Sequence, residues 1–238
     1  MNNKFIIFSQ SRSGSTLLKK LLHSHPSVNC EGEILALSDG YINNVLLLRI
    51  LRRIPIPYFY FRYFLSSQKV FGFTLFNYHT PYIRQCIRLL NFFGWKIIYL
   101  KRKQIVNQVF SNIIAMETGL FHRKESMVSK VINFEIPKDI FLKELKKRLR
   151  WHWLENDILM NQKYLTIYYE DDLEDEKKWQ ATADKIFNYL NLESMPVHSD
   201  LKKTYDKPYS EIITNYDELI ECFHQNGVSK RSIKNIEM

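Results

Sequence analysis

The chain has 238 residues, 45% of them hydrophobic, which excludes a disordered polypeptide and suits one α/β domain with a substantial core. Its net charge of +9 favours an anionic partner, whether a polyanionic ligand, nucleic acid or an acidic membrane surface. Three widely spaced cysteines argue against a disulfide framework, and the sequence has no CxxC or Cys/His cluster for a structural zinc site, so we expect a reducing compartment and no metal.

The first predicted element is the apolar strand FIIF, residues 5–8, and the polar loop SQSRSGST follows it. The leucine-rich amphipathic segment LLKKLL comes directly after the loop and predicts a helix. Backbone N–H groups at the start of a helix are unpaired, and the helix dipole favours negative charge there. This strand, loop and helix therefore predict a phosphate-binding loop, and the alternative is a turn that only caps the helix.

The loop matches the motif GxxxxGK[ST] only in part. Gly14 and Thr16 fit it, whereas Ser9 replaces the first glycine and Ser15 replaces the lysine. That lysine normally reaches the β- and γ-phosphates of a nucleoside triphosphate, so its absence argues against a kinase or an ATPase. Arg12 adds a forked cation to the anion cradle that remains.

Residues 45–65, VLLLRILRRIPIPYFYFRYFL, form the most apolar region of the sequence. Arginines and two prolines interrupt it, which argues against a membrane-spanning helix of about 20 apolar residues. Three interpretations stay open: a segment lying on a membrane surface, an apolar cap over a pocket, or a core helix followed by an aromatic loop.

Further strands and helices alternate along the rest of the chain. We predict strands over 70–76, 96–100 and 164–169, and helices over 105–117, 139–162, 179–190 and 210–223. This alternation predicts parallel crossovers, hence a three-layer α/β sandwich of the P-loop type with a central parallel sheet, built as a single domain over 1–238. Ligands bind such sheets at the carboxyl ends of the strands.

The first strand begins so early that we expect no signal peptide and a cytoplasmic protein.

A second basic loop, KRKQ, follows the strand over 96–100. Arg102 lies in this loop, and Ser111 lies about two turns into the helix that comes next, so both are able to converge on one anion. The alternative is a solvated run of charge.

The motifs RSGST, LLKKLLHSHP and CEGEIL together resemble the sulfotransferases that use 3′-phosphoadenosine 5′-phosphosulfate (PAPS), most closely the bacterial carbohydrate branch of nodulation-factor and lipopolysaccharide sulfotransferases. The resemblance implies a P-loop fold in which Arg12 stabilises the leaving oxygen. It implies that the 5′-phosphate is held by Ser13, Gly14, Ser15 and Thr16, and the 3′-phosphate by Arg102 and Ser111.

The resemblance also implies a catalytic base in CEGEIL. Glu33 is preferred because the family carries a Gly-Glu pair there, and Glu31 is the fallback. Thr74 stands where many relatives have lysine. Residues 41–68 and 119–136 have no counterpart in the family, so we expect them to be substrate-cap insertions.

The function expected from the sequence is transfer of the sulfuryl group from PAPS to a hydroxyl of a carbohydrate or glycolipid, with adenosine 3′,5′-bisphosphate (PAP) as product and without a metal. The alternatives are a P-loop nucleotide kinase or NTPase, and a non-catalytic basic binding module. We expect no nucleic-acid partner, and peripheral membrane contact through residues 45–65.

Overall fold

The computed structural model describes residues 3–37, 40–121, 123–124, 133–202, 205 and 207–225. The chain divides into two compact units. The first contains Met1–Lys101 and Leu154–Ser199, and the second contains Arg102–Trp153 and Asp200–Met238.

The strands and helices alternate through most of the chain. The strands are β1 (Asn3–Ser9), β2 (Val28–Glu31), β3 (Val70–Phe76), β4 (Lys96–Lys101), β5 (Arg123–Lys124), β6 (Tyr164–Tyr168) and β7 (Leu201–Lys202). The helices are α1 (Ser15–His23), α2 (Val45–Arg53), α3 (Pro55–Leu65), α4 (Ile83–Phe92), α5 (Ile105–Thr118), α6 (Lys138–Leu159), α7 (Trp179–Leu190), α8 (Tyr209–Ile212) and α9 (Tyr216–Gln225).

In the first unit the described strands form a five-stranded sheet in the order β2-β3-β1-β4-β6, and every pairing in it is parallel. β1 is central, with Ser9 beside Phe76 of β3 on one side and beside Leu100 of β4 on the other. The carboxyl ends of these three strands therefore meet at one edge of the sheet. This confirms the predicted α/β P-loop-type fold with a central parallel sheet.

Side chains alternate between the two faces of the sheet, as they do in any strand. Phe5 and Ile7 pack in a core cluster with residues of α1 and α7, whereas Ile6 and Phe8 pack in a second cluster with residues of α3 and α4. All four side chains are fully buried. The continuous apolar run of β1 thus reflects burial on both faces.

Two parts of the first unit differ from the sequence-based expectations. The aromatic stretch after residue 54, which one interpretation made a loop, is the helix α3, and Pro55 stands at its first position, where proline is tolerated. α2 is largely exposed rather than a core helix, since Leu48 is its one buried residue. None of the described helices has the length and apolar character that crossing a membrane requires.

The second unit has its own core, built from α5, α6, α8 and α9. The rings of Phe110 and Phe141 lie 5.5 Å apart at its centre, and the ring of Tyr216 lies 5.6 Å from that of Phe110. The side chain of Asn215 accepts a hydrogen bond from the N–H of Ile136 and donates one to the carbonyl oxygen of the same residue. The segment around Asn215, between α8 and α9, is therefore tied to Ile136 in the second unit.

Candidate active site

The loop between β1 and α1 lies at the carboxyl edge of the sheet and leads directly into the helix. Two of its residues adopt left-handed backbone conformations, Arg12 with φ 64° and Gly14 with φ 93°. Gly14 is the N-cap residue of α1, and the first turn of that helix contains no acidic side chain. A helix start of this kind directs its first N–H groups and the positive end of its dipole toward the loop, which suits an anion.

Close packing explains why residue 14 is glycine. A Cβ atom built on Gly14 would lie 2.5 Å from Cδ2 and 3.0 Å from Cε2 of the Tyr169 ring. Tyr169 begins the segment YEDDL after β6, and this segment is fixed by a 2.7 Å hydrogen bond from the N–H of Tyr168 to Asp172 Oδ2. The conformation of the loop thus depends on an aromatic ring from a separate part of the chain.

The hydroxyls of the loop have different surroundings. Ser13 is fully buried, and its Oγ donates a 2.7 Å hydrogen bond to the carbonyl oxygen of Gln10. Ser15, at the position of the missing lysine, is buried as well, and Thr16 is half-buried. The Ser13 hydroxyl proton therefore stabilises the loop itself, which leaves the backbone N–H as the group through which Ser13 would donate to an anion.

The two candidate glutamates of CEGEIL have different partners. Glu31, the last residue of β2, is held by Arg62, whose Nε donates a 3.1 Å hydrogen bond to Oε2 and whose Nη2 donates another to Oε1. This contact raises the pKa of Arg62. The side chain of Glu33 is 31% exposed, and its Oε2 lies 3.3 Å from His79 Nε2. Both oxygens of Glu31 are engaged by one guanidinium, whereas Glu33 is accessible.

The His79 ring is fixed in one orientation after β3. Its Nδ1 accepts a 3.1 Å hydrogen bond from the N–H of Phe76, and the residue is 1% exposed. Because Nδ1 is an acceptor, the neutral imidazole carries its proton on Nε2, the atom nearest to Glu33. His79 Nε2 therefore lies beside the candidate base.

A buried carboxylate joins three segments of the chain at the same edge of the sheet. Glu155, on α6, is 1% exposed and accepts hydrogen bonds from Gln10 Nε2 at 3.1 Å, Asn77 Nδ2 at 2.9 Å and Tyr99 OH at 3.0 Å. These donors come from the loop after β1, the turn after β3 and the strand β4. Burial, and then the nearby charge of Glu155, raise the pKa of Tyr99 well above its ordinary value.

The second predicted phosphate-binding pair belongs to the second unit. Arg102 directly follows β4 and is half-buried. Ser111 is a buried residue in the second turn of α5, as the spacing predicts.

The sequence interpretation missed His79, Glu155, Gln10 and Asn77. The polar run NYHT directly after the apolar strand β3 is a signal that could have identified Asn77 and His79. Glu155 gave no such signal, because it lies within a long helical pattern in which charged residues are common. Among the described residues there is no cluster of three or more His, Cys, Asp or Glu side chains that could hold a metal ion.

Comparison with solved structures finds whole-chain similarity to sulfotransferases. A sulfotransferase from Alicyclobacillus acidocaldarius aligns over 100% of this chain and 95% of its own, with 12% identity and a TM-score of 0.52. Mouse sulfotransferase SULT7A1, in complex with PAP, aligns over 100% of this chain and 88% of its own, with 13% identity and a TM-score of 0.52.

A shikimate kinase from Bacteroides thetaiotaomicron aligns over 80% of this chain and 99% of its own, with 12% identity and a TM-score of 0.49. No protein-family model matches the sequence, and no curated protein matches it. At these identities the similarity establishes the fold, and the sulfotransferases among the similar structures agree with the family that the sequence motifs resemble.

Proposed function

We propose that this protein is a sulfotransferase that moves the sulfuryl group of PAPS to a hydroxyl of a carbohydrate or glycolipid acceptor. The observation that carries the proposal is the loop between β1 and α1. It joins a central strand to an uncapped helix start, places Arg12 and Gly14 in left-handed conformations, and has Ser15 where nucleoside triphosphatases have lysine. Such a loop suits a phosphosulfate better than a triphosphate.

The loop fits the 5′ end of this cofactor sterically and electrostatically. Gly14 adopts the left-handed conformation that opens α1, so the N–H groups of the first helical turn are available to a phosphate. Arg12 supplies a guanidinium, whose N–H groups are able to donate two parallel hydrogen bonds to the oxygens of one anionic group. Bound PAPS would supply the activated sulfuryl group. Ser13, Gly14, Ser15 and Thr16 would hold the 5′-phosphate, and Arg12 would stabilise the negative charge on the leaving oxygen.

Glu33 is proposed as the general base that takes the proton of the acceptor hydroxyl. Its carboxylate is partly exposed, and its Oε2 lies 3.3 Å from Nε2 of the oriented His79 ring. An accessible carboxylate is able to accept a proton from a hydroxyl positioned beside it. Glu31 serves this role less well, because Arg62 already binds both of its oxygens.

Arg102 and Ser111 are proposed to bind the 3′-phosphate of the same cofactor. The support comes from the chain order, since Arg102 directly follows Lys101, the last residue of β4, and Leu100 lies beside Ser9 in the register of the sheet. Two basic segments that follow neighbouring parallel strands match a nucleotide with two separated anionic groups.

The proposal gives residues 41–68 and 119–136 the role of acceptor recognition, and part of the second range lies outside the described residues. The carbohydrate or glycolipid acceptor follows from the branch that the sequence motifs resemble. Cys30, Cys86 and Cys222 are free thiols, which supports the proposed reducing, cytoplasmic location.

Ligand-dependent thermal stabilisation separates this function from its alternatives. We expect PAP to raise the melting temperature, because a ligand that binds only the folded state stabilises it, and we expect ATP with magnesium to have little effect. Stabilisation by ATP with magnesium and none by PAP would support a P-loop kinase instead. Stabilisation by neither nucleotide, together with salt-sensitive DNA binding, would support a basic binding module. If PAP binds, transfer from ³⁵S-labelled PAPS to a panel of carbohydrates and glycolipids identifies the acceptor class.

A further inference from the structure

The outer side of α2 is apolar, which is the reverse of the usual arrangement in a surface helix. Leu46, Ile50 and Ile54, in and directly after this helix, recur every four residues, and their exposed fractions are 66%, 48% and 59%. A spacing of four residues places side chains on the same side of a helix. These three side chains therefore form one exposed apolar row.

The orientation of α2 is fixed by contacts on its inner side. Leu48 is buried, and the guanidinium of Arg52 donates hydrogen bonds of 3.0 and 2.9 Å to the carbonyl oxygen of Leu35. The Asn44 side chain caps the first turn by accepting from the N–H groups of Leu46 and Leu47 at 2.9 and 3.0 Å. The apolar row is thus held facing away from the sheet by a capped and anchored helix.

α3 shows the same pattern on its outer side. Its inner side is buried through Phe59, whose ring lies 4.5 Å from that of Phe73 in the sheet. Phe61 and Phe64 are 56% and 77% exposed, and Leu65 is exposed beside them. Two consecutive helices therefore present large apolar side chains to solvent, which in a folded protein indicates a surface for interaction.

The charged side chains of α2 have one sign. Arg49 and Arg53 on α2 are exposed next to the apolar row. Residues 40–101 contain no aspartate or glutamate, although Arg62 is paired with Glu31 and Arg84 with Asp157 from outside that range. A second copy of the chain would bring the same cations face to face, so charge complementarity favours an anionic partner over self-association.

We propose that the α2–α3 surface, formed by Leu46, Ile50, Ile54, Phe61 and Phe64 with Arg49 and Arg53, binds a bilayer that contains anionic phospholipids. Its apolar side chains enter the boundary between headgroups and acyl chains, as in helices that lie in the plane of a membrane. The arginines extend to the lipid phosphates, since a long side chain keeps its charged end at the interface. This inference does not depend on the proposed sulfotransferase activity.

Cosedimentation of the full chain with vesicles tests the proposal. The vesicles contain phosphatidylcholine alone or phosphatidylcholine with phosphatidylglycerol, and we expect binding to the second kind, weakened by salt. The double variant Leu46→Asp/Ile50→Asp is expected to bind at least about tenfold more weakly, because it removes the apolar contact with lipid. The double variant Arg49→Glu/Arg53→Glu is expected to bind anionic vesicles at least about tenfold more weakly, because the new carboxylates are repelled by the lipid phosphates.

Matched variants elsewhere on the surface control for general effects of charge. Met160→Asp introduces an acid at a side chain that is 70% exposed and lies outside α2 and α3, and Arg88→Glu reverses an exposed cation of α4. Both are expected to bind as the unchanged protein does, and thermal unfolding verifies that every variant is folded. Equal binding by the α2–α3 variants and their controls would overturn the proposal. So would a failure to bind vesicles combined with a concentration-dependent dimer that Leu46→Asp/Ile50→Asp dissociates, because the surface would then bind a second copy.

Discussion

His79 Nε2 lies 3.3 Å from Glu33 Oε2, where the chain leaves two neighbouring strands of the sheet. The imidazole is buried and oriented by the N–H of Phe76, whereas the carboxylate is partly exposed. Glu33 therefore lies beside an oriented imidazole and stays accessible to an acceptor hydroxyl. A carboxylate in this environment is suited to proton transfer, and a purely structural ion pair would not need the exposure.

Replacing Glu33 tests this role directly. We expect Glu33→Gln to lower turnover by about 10²- to 10⁴-fold, because the amide cannot accept the hydroxyl proton. PAP should still raise the melting temperature of the variant, since Glu33 is not among the residues proposed to hold the cofactor. Turnover and thermal shift are measured on the same preparation. Unchanged turnover would show that another group is the base.

Glu31→Gln is the matched comparison for that experiment. The substitution replaces one of the two carboxylate oxygens that accept from Nε and Nη2 of Arg62. We therefore expect the variant to be less stable but to keep most of its turnover. If Glu31→Gln abolishes turnover while the protein stays folded and Glu33→Gln does not, the fallback assignment is correct.

Gly14→Ala is expected to destabilise the protein more than Gly94→Ala. Both glycines have positive φ, 93° and 78°, but a Cβ at Gly94 meets no atom within 4 Å, whereas one at Gly14 overlaps the Tyr169 ring. Left-handed backbone costs an ordinary residue about 1–2 kcal/mol, and overpacking adds about 1–3 kcal/mol. Urea unfolding of the two variants measures the difference. Equal losses of stability would mean that the Tyr169 ring moves aside without cost.

The buried carboxylate of Glu155 should be essential for the stability of the first unit. Glu155→Met keeps a similar volume but leaves the donors of Gln10, Asn77 and Tyr99 without this acceptor, so we expect a loss of about 3 kcal/mol or more in the free energy of unfolding. Tyr99→Phe removes one donor and should cost about 1–2 kcal/mol. The exposed Glu193→Met is the control, with a change within about 0.5 kcal/mol. A small effect of Glu155→Met would show that the donors find other partners.

Tyr99 should make the protein less stable at alkaline pH. Its pKa in the folded state is raised well above the ordinary value of 10.0, so the unfolded chain loses the phenolic proton first as pH rises. The stability that this shift contributes is complete below about pH 10 and is lost as pH rises through the folded pKa. Urea unfolding at about pH 9 and pH 11 should show a smaller loss for Tyr99→Phe than for the unchanged protein. Identical losses would contradict this assignment.

Two of the thiols should be inert in the folded protein. Burial raises the pKa of both Cys30 and Cys86 to about 12, so their reactive thiolate forms are scarce at neutral pH. We expect slow reaction with a disulfide reagent under native conditions and fast reaction in denaturant. Rapid native labelling of either cysteine, located by mass spectrometry, would show that the surrounding core opens readily.

The sequence predicted the parts of the fold that rest on strong local patterns. The continuous apolar runs of β1 and β4 occur because both faces of these strands are covered. β2 escaped prediction because its four residues, VNCE, are partly polar and obtain their stability from pairing with β3. α3 was ambiguous because aromatic side chains and prolines are weak helix formers, and packing of Phe59 against the sheet stabilises the helix.

In the candidate site, too, the sequence predicted the local features and missed the contacts between distant segments. The loop residues were predicted because a strand, a serine-rich loop and a helix are adjacent in the chain. The contacts of Glu33 with His79 and of Gln10 with Glu155 join residues far apart in sequence, so only the tertiary structure reveals them. The preference for Glu33 over Glu31 acquires a physical basis from the position of Arg62, which no spacing in the sequence encodes.

The central position of β1 affects how the chain folds during synthesis. β1 is synthesised well before its two neighbours in the sheet, which begin only at Val70 and Lys96. Pairing of parallel strands so distant in sequence is slow, because a long loop must close before any contact forms. Nascent chains that end before Val70 therefore carry an apolar strand without its partners, and an exposed strand of this kind favours aggregation.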